Sequence, residues 1–321
     1  MTGISEQRCA LLNVGGTIGE HYGPDGLIRR STARMLLAEA GLPEHWPGYD
    51  VALIDSADIT FDVIDLVAKV IAGDRVSDGF ILCCGTDLLE EVAYSAALLL
   101  PPSRPIVVTG AALPASEPGG DGPANLRRAA ALIASGLVGG TTVVMGDAIF
   151  APAGFAKIEP QGVQPFMAGD GPIGRFRGGM PHMVGAPPHC DRFRGLSAKD
   201  CQARVAILSE CIGGTDIFID PGSLDGLVVA AAGAGGLSRR TYAMLKARYL
   251  PVMPVVLSTR CPFGFAINLR EPKYALAAAR ADGFLTRGYA ELSAIQARIR
   301  LIAEIALTHR ENNLHEHSAL S

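Results

Sequence analysis

The sequence is poor in charged and aromatic residues, and it has no apolar run long enough to cross a membrane. Of its 321 residues, 19% are charged and 6% are aromatic. A formal net charge of −4 gives no reason to expect nucleic acid or an anionic membrane as a partner. Runs such as Ala93–Pro102 are too short to span a bilayer, and the N-terminus lacks the pattern of a signal peptide.

The cysteines do not form a recognisable disulfide or zinc framework. Their number, seven, is odd, and no pair has the spacing of a zinc site. We interpret them as reduced thiols packed like small apolar residues, which predicts a cytoplasmic protein. The cysteines are Cys9, Cys83, Cys84, Cys190, Cys201, Cys211 and Cys261.

What the sequence has in abundance is small and aliphatic residues, with 38 glycines and a hydrophobic content of 49%. Short Val- and Ile-rich runs alternate with segments of helical periodicity, which is typical of an α/β fold with a parallel sheet. The predicted helices of the first half are Thr60–Ala72, Leu88–Leu100 and Gly122–Ser135. The predicted strands there are Cys9–Val14, Val51–Ile54, Gly79–Cys84, Pro105–Thr109 and Thr142–Met145.

The alternation stops in a Gly-, Pro- and Arg-rich stretch and then resumes. We therefore predict a larger domain over residues 1–175, a linker over 176–200 and a smaller α/β domain over 201–321. In the smaller domain the predicted helices are Ser238–Tyr249 and Ala294–Thr308. Its predicted strands are Arg204–Leu208, Gly226–Ala230 and Val255–Ser258.

Ligands of open parallel sheets bind beyond the carboxyl ends of the strands, so the residues after each predicted strand are the candidates for a site. Gly15-Gly16-Thr17-Ile18-Gly19 follows the first strand. Two glycines allow a sharp turn and close approach of a ligand, and Thr17 adds a hydroxyl. A phosphate-binding loop is the alternative, but the full GxGxxG spacing and a P-loop lysine are both missing.

The later strands are also followed by polar motifs. Cys84-Gly85-Thr86-Asp87 follows the third strand, and its threonine and aspartate could equally be helix N-caps. Thr109–Ala115 and the motif Gly120–Leu126 come after the fourth strand, and Ser56 after the second. Taken singly, each of these could be an ordinary loop or cap.

In combination, GGTI, GTD, TGAxxPA, DGPANL and a later lysine, in this order, resemble the bacterial L-asparaginase family. The segments LDGLVV, GAG and STRCPFG of the second half extend the resemblance over nearly the whole chain. It implies a larger flavodoxin-like N-terminal domain joined to a smaller α/β domain. It also implies a homo-oligomer, either a homodimer or a homotetramer, and no cofactor.

The resemblance further implies which residues act. Thr17 matches the nucleophile, and Thr86, Asp87 and Lys157 match a second catalytic group. Lys157 is the only lysine between Lys69 and Lys199. The residues that match the substrate-binding positions are Gly16, Ser56, Gly85, Thr86, Asp87 and Ala111, of which Ser56 and Asp87 correspond to those that hold the α-carboxylate and α-amino groups.

These roles are chemically coherent. A threonine hydroxyl needs a base or a relay to remove its proton. An amine accepts a proton near neutral pH only when it is desolvated or close to another positive charge, so we expect the Lys157 side chain to be largely buried. Asp87 could bind a substrate ammonium, and N–H groups around Gly85 and Thr86 could hold the oxyanion. The expected reaction is attack by Thr17, loss of ammonia and hydrolysis of the acyl-enzyme.

The chain also departs from the family pattern. Leu27 stands where the family carries a tyrosine on the mobile loop, and nearby Tyr22 either replaces that tyrosine or is an ordinary loop residue. Gly236 stands where the family has an asparagine that reaches a neighbouring subunit. Cys84 replaces a frequent histidine, and Leu113 an arginine found in some members.

We therefore expect an amidohydrolase that converts L-asparagine to aspartate and ammonia. One alternative is a related amidase acting on a different or larger side-chain amide, and another is a catalytically silent amino-acid-binding protein. Keeping Thr17, Thr86, Asp87 and Lys157 argues against the silent alternative. We expect no metal, because His309, His315 and His317 near the C-terminus have no accompanying carboxylates or cysteines.

Overall fold

A computed structural model describes residues 7–319 apart from 24, 26, 102, 163, 186–192, 194, 214–218, 265–275, 290 and 291. Side chains are not described at residues 22, 276–278 and 313–319 either. The chain divides into two compact units, Met1–Arg192 and Phe193–Ser321. The limits given above for the two domains and the linker stay predictions.

The larger unit is built on an eight-stranded sheet with the order β12-β11-β8-β7-β6-β5-β1-β4. Its strands are β1 (Cys9–Asn13), β4 (Gly48–Asp50), β5 (Gly79–Cys83), β6 (Ile106–Thr109), β7 (Thr141–Met145), β8 (Ala148–Phe150), β11 (Gly174–Arg177) and β12 (Met180–Met183). Two hairpins lie outside this sheet: β2 (Glu20–Tyr22) with β3 (Ile28–Arg30), and β9 (Phe155–Lys157) with β10 (Phe166–Ala168).

Five neighbouring strands, β4, β1, β5, β6 and β7, are parallel. Numbered along the chain, they follow the order 2-1-3-4-5, which is that of flavodoxin-like sheets. The strand order reverses between β1 and β5. The predicted flavodoxin-like architecture is therefore confirmed.

Four helices accompany the sheet of the larger unit: α1 (Ala33–Glu39), α2 (Phe61–Gly73), α3 (Leu89–Leu99) and α4 (Gly122–Ala134). Apolar residues of α1 and α4 form one core cluster with Trp46 and with Ile81 and Cys83 of β5. The alternate residues of β5, Phe80 and Leu82, are also fully buried. Both faces of the strand are thus covered, which explains why its sequence shows no polar alternation.

The prediction of a second strand over Val51–Ile54 is wrong. The strand is β4, which ends at Asp50, and Leu53 has a positive φ of 57° that breaks the extended conformation. Val51 and Ile54 still donate hydrogen bonds to the carbonyls of Asn13 and Val14, at 2.8 and 2.9 Å. The segment therefore follows β1 without forming a regular strand, and it ends at Ser56.

Residues 176–183, which the sequence assigns to a linker, lie instead in the β11–β12 hairpin of the large sheet. Gly178 and Gly179 make the turn with positive φ angles of 57° and 80°. Gly174 and Phe176 are buried while Arg175 and Arg177 are exposed. The alternation of buried and exposed residues covers only the four residues of this strand. That is too short to be recognised in a Gly- and Pro-rich sequence.

The smaller unit has a parallel sheet in the order β13-β14-β15, formed by Val205–Ser209, Gly226–Ala231 and Val255–Thr259. Its helices are α5 (Arg239–Arg248), α6 (Leu276–Ala281) and α7 (Ala294–Ala319). Leu245 and Tyr249 pack against Val229 and Leu257 in its core. The predicted small α/β architecture is confirmed. Within the described part of the chain, no helix has the length and apolarity that crossing a membrane requires.

Candidate active site

The candidate residues collect where the strand order of the large sheet reverses. Thr17 follows β1, Thr86 follows β5, and these two strands are paired in parallel. Ser56 comes from the segment after β4, which pairs with the other side of β1. Because parallel strands end at the same edge, the three segments meet beyond the carboxyl ends of the sheet.

Glycines let these segments touch backbone to backbone. A Cβ on Gly16 would lie 2.2 Å from the Cα of Gly85, and a Cβ on Gly85 would lie 2.7 Å from the Cβ of Ser56. No side chain fits at either position without movement of the main chain. Thr17 and Thr86 each directly follow one of these glycines, so the glycine contact brings the two threonine segments together.

Thr17 begins a short 3-10 turn over Thr17–Gly19 and is partly buried. Gly15 and Gly16, with φ angles of 111° and 83°, turn the chain sharply before it. The side chain of buried Asn13 fixes this turn by accepting a hydrogen bond from the Gly15 N–H at 3.1 Å. Among the described residues, the Thr17 hydroxyl has no hydrogen-bond partner, so it is free to meet a ligand.

Lys157, at the end of β9, and Ser56, in the segment after β4, both hydrogen-bond to the segment after β5. The Nζ of Lys157 lies 3.1 Å from the Thr86 Oγ1 and 2.9 Å from the Asp87 Oδ1. The Ser56 hydroxyl donates to the other oxygen of Asp87 at 3.1 Å. The Lys157 side chain is only 16% exposed, whereas that of Asp87 is 67% exposed. The amine is thus partly buried beside a hydroxyl while the carboxylate stays open to solvent.

Asp87 is held in its ionised form. The hydrogen bond from Lys157 lowers the pKa of Asp87, opposed by partial desolvation and assisted by the charge of Lys157 and the Ser56 hydroxyl. A carboxylate that stays charged, open to solvent and fixed by two donors can bind an incoming ammonium group.

Glu90, in the first turn of α3, was missed as a site residue by sequence reasoning. Its Oε2 accepts a hydrogen bond from the main-chain N–H of Lys157 at 2.5 Å, and the residue is 7% exposed. Burial raises the pKa of Glu90, and the Lys157 N–H partly offsets this effect. An acid in the first turn of a helix is ordinarily explained by the helix dipole, and the partner lies 67 residues away, so no local signal marks this contact.

The loop after β6 supports the site from the side. Ala111 is buried, and a Cβ on Gly122 would contact both the Ala111 Cβ at 3.5 Å and the Ile18 side chain at 3.0 Å. Ala111 therefore lies close to the residue after Thr17. In the DGPANL motif, buried Asn125 donates to the Gly110 carbonyl at 3.0 Å. This hydrogen bond holds the start of the loop against α4.

The β2–β3 hairpin follows directly on the Thr17 turn. Leu27 near its tip is 64% exposed. Tyr22 pairs with Ile28 through its main chain, but the Tyr22 side chain, proposed as a replacement for the loop tyrosine, lies outside the described residues. His21 lies 2.8 Å from the hydroxyl of Ser31, directly after the hairpin, and 3.4 Å from the carboxylate of Glu39 in α1.

Histidines near the C-terminus, Cys84 and Gly236 are the remaining residues singled out in the sequence. Three or more metal-ligating side chains do not come together among the residues that the structure describes. His309 is exposed, while the side chains of His315 and His317 lie outside the described residues. Cys84 is fully buried, and desolvation raises the pKa of its thiol, so it packs as a small apolar residue beside Gly85. Gly236, in the smaller unit, closes a tight turn with Ala232.

Comparison with known proteins gives a consistent result. A family model described as the N-terminal part of asparaginase matches residues 8–188. A probable L-asparaginase of Deinococcus radiodurans is 34% identical over 273 residues, 80% of this chain and 80% of that protein. L-asparaginase 2 of Escherichia coli is 28% identical over 279 residues, 83% of this chain and 76% of that protein.

Among solved structures, a probable cytoplasmic L-asparaginase from Campylobacter jejuni has a similar fold. The TM-score is 0.74 at 22% sequence identity, over 94% of this chain and 99% of that chain. At this identity the likeness concerns the fold alone.

Proposed function

The chain belongs to the asparaginase family, and on this basis we propose that it hydrolyses the side-chain amide of L-asparagine to aspartate and ammonia. The observation that carries the proposal is the position of Lys157. A partly buried amine lies within hydrogen-bond distance of the Thr86 hydroxyl and the Asp87 carboxylate. A lysine, a threonine and an acid in contact at the carboxyl edge of a sheet can move protons and bind a charged substrate.

In the proposed reaction, the hydroxyl oxygen of Thr17 attacks the carbon of the substrate's side-chain amide. A basic group of the site takes up the hydroxyl proton. The carbonyl oxygen becomes an oxyanion, which main-chain N–H groups around Gly85 and Thr86 would stabilise. The C–N bond then breaks, and nitrogen leaves as ammonia after taking up a proton. Water, losing a proton to the Thr86–Lys157 pair, hydrolyses the aspartyl ester and frees Thr17.

Two side chains are proposed to recognise the amino-acid part of the substrate. Asp87 would accept the α-ammonium group, because its carboxylate is exposed and its lowered pKa keeps it charged. Ser56 donates its single hydroxyl proton to Asp87 at 3.1 Å, and it would turn this hydroxyl toward the α-carboxylate when substrate binds. Gly16, Gly85 and Ala111, which are all buried, would contribute main-chain groups beside the substrate. A free amino acid fits this arrangement better than a peptide.

A second candidate is hydrolysis of a different or larger side-chain amide. It is favoured by Leu27, an exposed apolar residue on the hairpin next to Thr17, where the family pattern has a tyrosine. A change at this position would alter how the hairpin closes over the substrate. The choice between asparagine, glutamine and a larger amide is therefore open to experiment.

Oligomeric state and location also belong to the proposal. We expect a homodimer or homotetramer, from the resemblance to the family, and a cytoplasmic protein. The six cysteines within the described residues are all free, which supports a reducing compartment. Size-exclusion chromatography with light scattering would test the oligomer directly.

The test of the proposed function is ammonia release from L-asparagine, D-asparagine and L-glutamine. We expect Lys157→Met to lower the rate at least about 1,000-fold, because proton transfer and activation of Thr86 depend on the amine. Lys199→Met is the matched control, since Lys199 is exposed and its side chain makes no hydrogen bond or ion pair with the described residues. Equal loss in both variants, or folded wild-type protein that releases no ammonia, would overturn the proposal.

A further inference from the structure

Lys157 has to be brought to the site from outside the large sheet. It ends β9, which pairs only with β10 in a separate two-stranded hairpin. Thr86, in contrast, follows β5 of the eight-stranded sheet. Strand pairing therefore does not fix the distance between Lys157 and Thr86, and some other contact must do so.

One short segment, Thr86–Glu90, holds Lys157 at both ends. Thr86 and Asp87 contact the Nζ at 3.1 and 2.9 Å. Glu90 accepts from the main-chain N–H of the same lysine at 2.5 Å. With both ends attached to five successive residues that lead into α3, the lysine side chain has little freedom to leave the Thr86 hydroxyl.

Burial destabilises the ionised form of the Glu90 carboxylate. It is 7% exposed, and desolvation raises its pKa, since a buried carboxylate is less stable in its ionised form. Its partner among the described residues is a main-chain N–H group, which needs an acceptor but not a charge. A glutamine would offer the same acceptor without the desolvated charge.

We propose that Glu90 is a positioning residue that sets the catalytic geometry of Lys157 by accepting its main-chain N–H. The proposal rests on the proposed function for its effect on rate. Its structural part, the placement of Lys157, can be measured without any activity.

The kinetic test compares Glu90→Gln with Glu90→Leu. Glu90→Leu removes the acceptor, and we expect kcat to fall about 100-fold, because a displacement of about 1 Å has that effect on a catalytic group. KM should stay within about three-fold, since Ser56 and Asp87 are untouched. Glu90→Gln should restore kcat to near the wild-type value. Glu159→Leu, at an exposed acid two residues after Lys157, is the matched control and should leave kcat unchanged.

The second test is reductive methylation followed by peptide mass spectrometry. The chain has five lysines, and exposed Lys69 serves as an internal reference for the shielded Lys157. In the wild type and in Glu90→Gln, Lys157 should react much more slowly than Lys69. In Glu90→Leu its rate should rise toward that of Lys69. If Glu90→Leu fails to fold, Glu90→Asp, whose carboxylate is one methylene shorter, replaces it in both tests.

Two results would overturn the inference. One is a Glu90→Leu variant with unchanged kcat and unchanged methylation of Lys157. The other is a Glu90→Gln variant as impaired as Glu90→Leu in both measurements, which would mean that the charge matters and not the acceptor. Absence of ammonia release from the wild type would overturn the proposed function instead, and the methylation rates would still decide the role of Glu90.

Discussion

Two acid–base pairs lie at opposite ends of the strands in the larger unit, and their carboxylates have very different surroundings. Asp87 pairs with Lys157 at the carboxyl end of β5 and is 67% exposed. Asp74 pairs with Arg104 before the amino ends of β5 and β6, and its side chain is completely buried. We call Asp87–Lys157 the open pair and Asp74–Arg104 the closed pair.

The closed pair is saturated with partners from the protein. Besides Arg104, the Asp74 carboxylate accepts from the Tyr49 hydroxyl, the Val76 N–H and both the N–H and hydroxyl of Ser77. Desolvation acts to raise the pKa of Asp74, but these hydrogen bonds outweigh it, and the pKa is lowered. Arg104 also donates to three main-chain carbonyls and lies over the Phe80 ring.

The difference indicates how to tell a structural ion pair from a functional one. Both carboxylates have lowered pKa values, so a pKa shift alone does not distinguish them. What distinguishes Asp87 is spare accepting capacity, since it accepts from only two donors among the described residues and is exposed. A carboxylate can accept about four hydrogen bonds, which leaves Asp87 able to bind a ligand and Asp74 unable to do so.

Replacing the aspartate by asparagine should lower activity at position 87 and stability at position 74. The loss of activity at position 87 is the largest expected effect. We expect Asp87→Asn to lower kcat/KM for the amide at least about 1,000-fold, about 4 kcal/mol, because the substrate ammonium loses its counter-charge. The free energy of unfolding should change by less than about 1 kcal/mol, as for exposed pairs. Steady-state kinetics and urea unfolding of the same preparation measure both. A variant that keeps its activity would remove Asp87 from the site.

Asp74→Asn should instead destabilise the protein and leave the chemistry intact. Removing one partner of a buried ion pair costs about 3 kcal/mol or more, and here the partly buried Arg104 charge would lose its counter-charge. Activity per folded molecule should equal that of the wild type. Thermal or urea unfolding gives the first quantity, and titration of active sites the second. An unchanged unfolding midpoint would mean that the closed pair does not stabilise the fold.

Removing one hydroxyl donor from each of the two carboxylates should give smaller effects of the same two kinds, one on stability and one on substrate binding. Tyr49→Phe removes one donor to Asp74 and should lower the free energy of unfolding by about 1 kcal/mol. Ser56→Ala removes a donor to Asp87 and should mainly raise KM, by about ten-fold, through lost orientation of the substrate's charged groups. If Ser56→Ala lowered stability as much as Tyr49→Phe does and left KM unchanged, Ser56 would be a structural residue.

The smallest expected effect is a pH dependence of stability. Because the folded-state pKa of Asp74 lies below its unfolded value, its contribution is fully present above about pH 4 and is lost as the pH falls through the lower folded-state pKa. The difference in unfolding free energy between wild type and Asp74→Asn should therefore shrink in acid. Urea unfolding at a series of acidic pH values measures this. A difference that grows in acid would contradict the lowered pKa.

The sequence predicts the fold where burial is continuous along a segment. β1, β5, β6 and β7 are buried throughout and stand out as apolar runs. The strands from β8 to β12 have only three or four residues, and too few repeats of a period fit within them to be recognised. At Val51–Ile54 the apolar pattern is present, but the positive φ of Leu53 depends on contacts that the local sequence does not encode.

The candidate site was predicted through motifs next to strand ends, so Thr17, Ser56, Thr86 and Asp87 were found. Their roles stay predictions. Glu90 and the Asp74–Arg104 pair were not found, because their partners lie 67 and 30 residues away in the chain. An isolated acid or arginine carries no sign of such a partner, and only the folded chain brings them together.

The most direct test of the account is to identify which hydroxyl attacks the substrate. An asparagine analogue with a diazomethyl ketone in place of the side-chain amide would alkylate the attacking oxygen, and peptide mass spectrometry would locate the label. We predict one label per chain on Thr17, with labelling much slower in Lys157→Met. A label on Thr86, or no stoichiometric label on folded protein, would contradict the assignment of Thr17 as the nucleophile.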